Sequence, residues 1–115
     1  MDKKFRRVYA AVNNERFDKS TLNALADDTI FVCPVPMFDD IKDRRDLFEH
    51  YISKAFDDFD PELDLIADFG DSMIFAMMLF FLGRNYEYVY VARYNRRNAN
   101  YTVRLVDGES VEWNN

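Results

Sequence analysis

Very little in this chain staples it, bends it or titrates near neutral pH. Of 115 residues, one is cysteine, one is histidine, three are glycine and three are proline. A single cysteine, Cys33, excludes an internal disulfide and suits a reducing compartment. One histidine with no second histidine or cysteine beside it makes a poor metal site, so no metal and no cofactor is expected. So few glycines and prolines leave no room for long flexible linkers. No apolar run approaches the roughly 20 residues that a membrane-spanning helix requires, so no membrane partner is expected. The opening MDKKFRRVYAAV is charged and amphipathic, unlike an export signal. The expected setting is soluble and cytoplasmic. Basic charge is also short, with 15 Lys+Arg against 21 Asp+Glu and a net charge of −6. That balance argues against non-specific nucleic-acid binding. Residues 72–106 depart from it, carrying five arginines against one glutamate. A surface bearing Arg93, Arg96, Arg97 and Arg104 could attract an anion. The simpler reading is a solvated face that balances the acidic segments.

What is abundant is apolar and aromatic. Hydrophobic residues make up 49% and aromatics 17% of the chain, enough for one folded domain over 1–115. The densest stretch, Ser72 to Tyr94, reads as two long strands joined at Leu82-Gly83-Arg84. Residues 73–82 are apolar on both alternating faces, which predicts a mid-sheet strand covered on both sides. In the next run Tyr86, Tyr88, Tyr90, Ala92 and Tyr94 share one face, and Glu87, Val89, Val91 and Arg93 the other.

The spacing of Phe5, Val8, Tyr9 and Val12 predicts a helix capped by Asp2. A second short helix is expected from Phe17-Asp18, with Thr21, Leu22 and Leu25 inward. Thr29 to Cys33 is β-branched and aromatic and ends at Pro34, which predicts a strand. Asp43 to Phe56 predicts a helix whose apolar stripe is Leu47, Phe48, Tyr51, Ile52, Ala55 and Phe56. Leu63 to Phe69 alternates as a half-exposed strand. Arg97 to Asn100 reads as a turn, Tyr101 to Val106 as a strand, and Asp107-Gly108 as a further turn. The acidic pairs Asp27-Asp28 and Asp39-Asp40 and the Asp57, Asp58, Asp60 group are read as caps and solvated loops. Helices placed before an antiparallel sheet give the α+β class.

This order of elements resembles the nuclear transport factor 2-like superfamily, including its SnoaL-like and ketosteroid-isomerase-like members. The likeness rests on VYAAVNNERFDKSTLNALADDTIFVCPVP, on RRDLFEHY and on the long hairpin that follows. It implies a cone-shaped fold, N-terminal helices packed on a strongly curved, mainly antiparallel sheet around an apolar pocket. It also implies a homodimer through the outer sheet face, where Val89, Val91 and Arg93 would meet a partner. In the isomerases a tyrosine on the first helix donates to the oxyanion, and Tyr9 falls at that place. The general base of that family corresponds to Cys33 and its second oxyanion donor to Ala92. Neither residue type serves those roles, so isomerase chemistry of that kind is not expected.

Tyr9 is a pocket donor or a core tyrosine with its hydroxyl at an edge. Cys33 lines a pocket or is a small buried residue at a strand end. Helical periodicity turns His50 towards solvent, whereas the resemblance puts it near the pocket mouth, where imidazole could replace the missing base. Tyr88, Tyr90, Ala92 and Tyr94 form a ligand wall or a plain cross-strand ladder. Two functions are carried forward. One is a domain binding a small apolar or aromatic ligand, with weak acid–base chemistry from Tyr9 and His50. The other is a non-catalytic dimerisation or protein-interaction module with a filled interior.

Overall fold

The computed structural model describes residues 4–13, 19–33 and 45–107. Five strands form one sheet: β1 (Phe5–Val12), β2 (Ala26–Cys33), β3 (Asp64–Ala67), β4 (Tyr88–Asn95) and β5 (Asn100–Asp107). Their order across the sheet is β2-β1-β3-β4-β5. A 3₁₀ helix spans Lys19–Ala24, and two α-helices follow, α1 (Arg45–Ala55) and α2 (Ser72–Asn85). The protein is a mixed α+β chain, as expected, but its connectivity departs from the sequence reading in three places.

The first is the opening segment, which is a strand. Val8 to Val12 are all buried, because β1 lies between β2 and β3 and both its faces are covered. A short apolar run of this kind has no periodicity that separates a covered strand from a buried helix. The second is Ser72–Asn85, which is a helix and not half of a hairpin. Asp71 caps it, its carboxylate accepting from the Ile74 N–H at 2.9 Å. Ile74, Met78 and Leu82, spaced four apart, form the buried stripe. The third correction follows from the second. With a helix between them, β3 and β4 run parallel, and so do β1 with β2 and β1 with β3. Among the described strands only β4 and β5 are antiparallel, so their sheet is mainly parallel.

Other expectations agree with the structure. Strands cover 29–33, 64–67, 88–95 and 100–107, α1 lies inside 43–56, and residues 96–99 turn between β4 and β5. β2, however, begins at Ala26, so Asp27 and Asp28 stand in the strand and not in a cap. Asp64 to Ala67 are all buried where a half-exposed strand was expected. The predicted second helix, whose start at Phe17-Asp18 lies outside the described residues, is a 3₁₀ turn over Lys19–Ala24 with Leu22 buried. The Asp2 cap, Asp18, Pro34, the Asp39-Asp40 loop, the side chains of Leu47 and Phe48, and Gly108 with the tail lie outside the described residues.

The direction of each crossover decides which face its helix covers. From β1 the chain moves one way to β2, and from β2 and β3 it moves the other way to β3 and β4. Connections of one hand therefore put the first crossover on one face and the next two on the opposite face. That is the arrangement found. Leu22 and Leu25 pack with Phe5, Val8, Ala10, Leu65, Ala67 and Ala92 on one side. Ile52 of α1, Phe56 in the turn just after it, and Ile74, Met78 and Leu82 of α2 pack with Tyr9, Ala11, Ile66 and Val89 on the other.

Two features pin the ends of the central strands β1 and β3 to their loops. Asp64 is fully buried, yet its carboxylate accepts from Arg6 Nε at 3.0 Å, Arg6 Nη2 at 2.6 Å and the Asp60 N–H at 2.9 Å. Those bonds satisfy a charge that would otherwise be costly inside the protein. Past β3, Gly70 has φ +93°, and a Cβ there would stand 2.8 Å from the Val12 carbonyl oxygen. Only glycine allows this approach.

Candidate docking groove

In parallel sheets, ligands usually enter the crevice at the strands' carboxyl ends, where successive connections leave towards opposite faces. Here that point lies between β1 and β3. Among the described residues it is filled by backbone. The Ala11 N–H donates to the Phe69 carbonyl at 3.2 Å, and Gly70 lies on Val12. The nearby N-terminus of α2 is already satisfied by Asp71.

Among the described residues a cavity lies outside the sheet, between the two helices. It holds about 490 Å³ and is lined by Ile52 and Ser53 of α1 and by Ala76, Met77, Phe80 and Phe81 of α2. Glu49 and Arg84 supply the charge on its walls. Its floor and one rim belong to a helix that is apolar nearly all round. At 100° per residue, Met73, Ala76, Met77, Phe80, Gly83 and Arg84 fall within an arc of about 120°, opposite the buried stripe. Phe80 is 70% exposed and Met73 58%. Side chains of this kind rarely stand in water together without something to cover them.

The residues singled out from the sequence are divided by the sheet. Tyr9 and Cys33 belong to the core on the helical face. Ala92 belongs to the core on the opposite face, with Tyr90 packed against it. One pocket cannot contain both sets. Tyr9 is 1% exposed, wedged against Phe56 and Phe59 with ring centroids 4.8 and 5.6 Å away. Its hydroxyl accepts from Arg7 Nη1 at 3.4 Å, and Arg7 Nη1 also binds Asp58 at 2.9 Å. Burial pushes the Tyr9 hydroxyl above its ordinary pKa, with Arg7 pulling partly the other way. Cys33 is buried, and burial, with Asp71 adding negative potential, pushes its thiol up to about 11. A thiol held protonated is a poor nucleophile. His50 is exposed on α1, its ring 6.2 Å from that of Tyr51.

On the far face, Tyr88 and Tyr90 meet edge-on at 6.3 Å, Tyr90 leans on Phe5 at 5.1 Å, and Tyr94 meets Tyr101 at 5.4 Å. These rings form a row of aromatic contacts, of which Tyr94–Tyr101 joins directly paired residues of β4 and β5. Ala92 is fully buried within it, while Tyr94, Val103 and Leu105 leave its outer half open. The face assigned to a dimer partner is occupied by the chain's own helix: Val89 is buried and Val91 packs with it beneath α2. That expectation is corrected, because α2 lies where a hairpin had been expected.

Sequence reasoning missed Met73, Ala76, Phe80 and Arg84 as surface residues, having placed them in a hairpin. A signal was present. Residues 73–82 are mostly Met, Phe, Leu and Ala with only one β-branched residue, Ile74, and Asp71-Ser72 precedes them as a cap. Among the described residues no three His, Cys, Asp or Glu side chains gather to hold a metal ion, and no helix is long and apolar enough to cross a membrane. No family model, no curated protein and no solved structure matches this chain. What the groove does must come from its own geometry.

Proposed function

We propose that this chain is a protein-interaction module whose docking face is the outer stripe of α2 together with the α1–α2 groove. The observation that carries this is the exposure of Phe80 and Met73 on a helix already anchored by its other side. A surface helix gains nothing from a second apolar face unless another molecule buries it. The interior supports the same reading, because Tyr9, Phe56, Phe59 and Met78 fill the space beneath the helices with side chains.

The test is a photo-crosslinking amino acid placed at Phe80, with a control at exposed Asn98, in cells that make the protein. Covalent capture of one identified protein at position 80 and not at 98 is the expected result. Equal capture at both positions, or none at position 80, overturns the proposal.

A second reading follows from the groove's size. A volume of about 490 Å³ falls within the range of small-molecule sites, so a small apolar ligand could occupy the same groove. Native mass spectrometry of gently purified protein separates the two. A bound small mass that Phe80→Glu removes favours the ligand, and its absence favours the protein partner.

A further inference from the structure

The outer stripe of α2 has an internal symmetry that specifies its occupant. Its two bulky, exposed members, Met73 and Phe80, and its two small members, Ala76 and Gly83, are arranged evenly about Met78. Met73 lies as far before Met78 as Gly83 lies after it, and Ala76 as far before as Phe80 after. A second α2 laid antiparallel, with its two-fold axis at the level of Met78, therefore sets Phe80 opposite Ala76 and Met73 opposite Gly83. Both contacts are made twice. A parallel pairing sets bulk against bulk and small against small, leaving the notches empty.

We infer that the α2 face is a self-complementary seam, and that its partner is a second copy of this chain packed antiparallel through α2. This rests on the stripe being the docking face, and three further observations favour it. Gly83 is unexplained within one chain, since a Cβ there would meet nothing within 4 Å. A helical glycine is unfavourable relative to alanine, and the antiparallel seam supplies its reason: room for a neighbouring helix and Met73. The groove floor at Ala76 and Met77 is open where Phe80 of the second copy would enter. Charge agrees as well. Arg84 at one end of α2 comes level with Ser72 and the acidic cap Asp71 of the second copy, and the two helix dipoles oppose.

The test uses the full chain in sedimentation equilibrium over a wide range of concentration. Wild type is expected to be a dimer. Gly83→Leu fills the notch from an exposed helical position where an added Cβ meets nothing within 4 Å, so it should keep the monomer folded by circular dichroism. It should also raise the dimer dissociation constant at least about tenfold, a loss of roughly 1.4 kcal/mol. Adding Met73→Ala to Gly83→Met moves the bulk across the seam and should restore the dimer. Mixed Met73→Cys and Gly83→Cys chains should join by a disulfide in preference to either joining itself.

Wild type that stays monomeric overturns the inference but not the docking face, which capture of another protein at position 80 would still establish. A dimer indifferent to both Gly83→Leu and Phe80→Glu overturns both, and moves attention to the open half of the β4–β5 face. A dominant Met73→Cys self-disulfide overturns the antiparallel seam and leaves the docking face standing.

Discussion

At the residue scale, Cys33 shows how burial decides the chemistry of a reactive side chain. Nothing in the sequence separates a thiol that lines a pocket from one sealed at a strand end, because both follow an apolar run. The structure encloses it, and its thiol is held protonated up to about 11. The pH consequence has a definite sign. Below the ordinary thiol range Cys33 is neutral in the folded and unfolded chain alike, and stability does not respond to it. Above that range the unfolded chain ionises first and binds fewer protons, so stability falls as pH rises towards 11. Tyr9 and Tyr101, both raised chiefly by burial, push in the same direction at still higher pH. Urea unfolding followed from pH 7 upwards should show a midpoint that declines only on the alkaline side. An alkylating reagent should meanwhile leave Cys33 intact in native protein and modify it in urea. Rapid alkylation of the native chain would contradict the placement of Cys33.

At the element scale, α2 has two apolar faces with different duties. Met78 is completely buried between the sheet and α1, whereas Phe80 stands largely in solvent. Met78→Ala should cost about 2–5 kcal/mol through the cavity it leaves. Phe80→Ala, measured at a dilution where chains do not associate, should change stability by no more than about 0.5 kcal/mol. Urea midpoints with an unchanged denaturant slope would test the pair. If Phe80→Ala costs as much as Met78→Ala, then Phe80 is part of the core and α2 has no free face. The same two-sidedness explains why the segment was read as a strand. Alternation and helical spacing both find apolar residues everywhere in 73–82, so periodicity has no contrast to report. Residue type and the Asp71 cap decide it.

At the scale of the whole molecule, protection should be graded across the sheet. β1 is paired on both sides and buried on both faces. β5 pairs with β4 alone among the described strands, and Thr102 to Leu105 are exposed. Native-state hydrogen exchange should therefore find β1 amides opening only with global unfolding, and β5 amides opening orders of magnitude sooner. Uniform protection would mean that β5 is covered, by a partner or by its own chain. The Arg6–Asp64 clamp works at this scale too. It ties the loop leading into β3 back to the start of β1, across 58 residues of sequence.

The sequence by itself determined the local elements whose patterns were one-sided. The strands at 29–33, 64–67, 88–95 and 100–107 and the helix at 45–55 carry clear alternation, β-branched and turn residues or an amphipathic stripe. Each of those signals lies within a few residues, where the chain's own geometry sets the rule. The runs that are apolar on every side, 8–12 and 73–82, carry no such contrast in their spacing, and tertiary structure shows which faces are covered. Burial on both faces of a central strand and exposure of one face of a surface helix are properties of neighbours, and local periodicity does not record neighbours. Once α2 became a helix, β3 and β4 ran parallel, the tyrosine face separated from Tyr9 and Cys33, and an apolar stripe reached the surface. The candidate site moved with it. Its residues were all visible in the sequence; the side on which they stand was not.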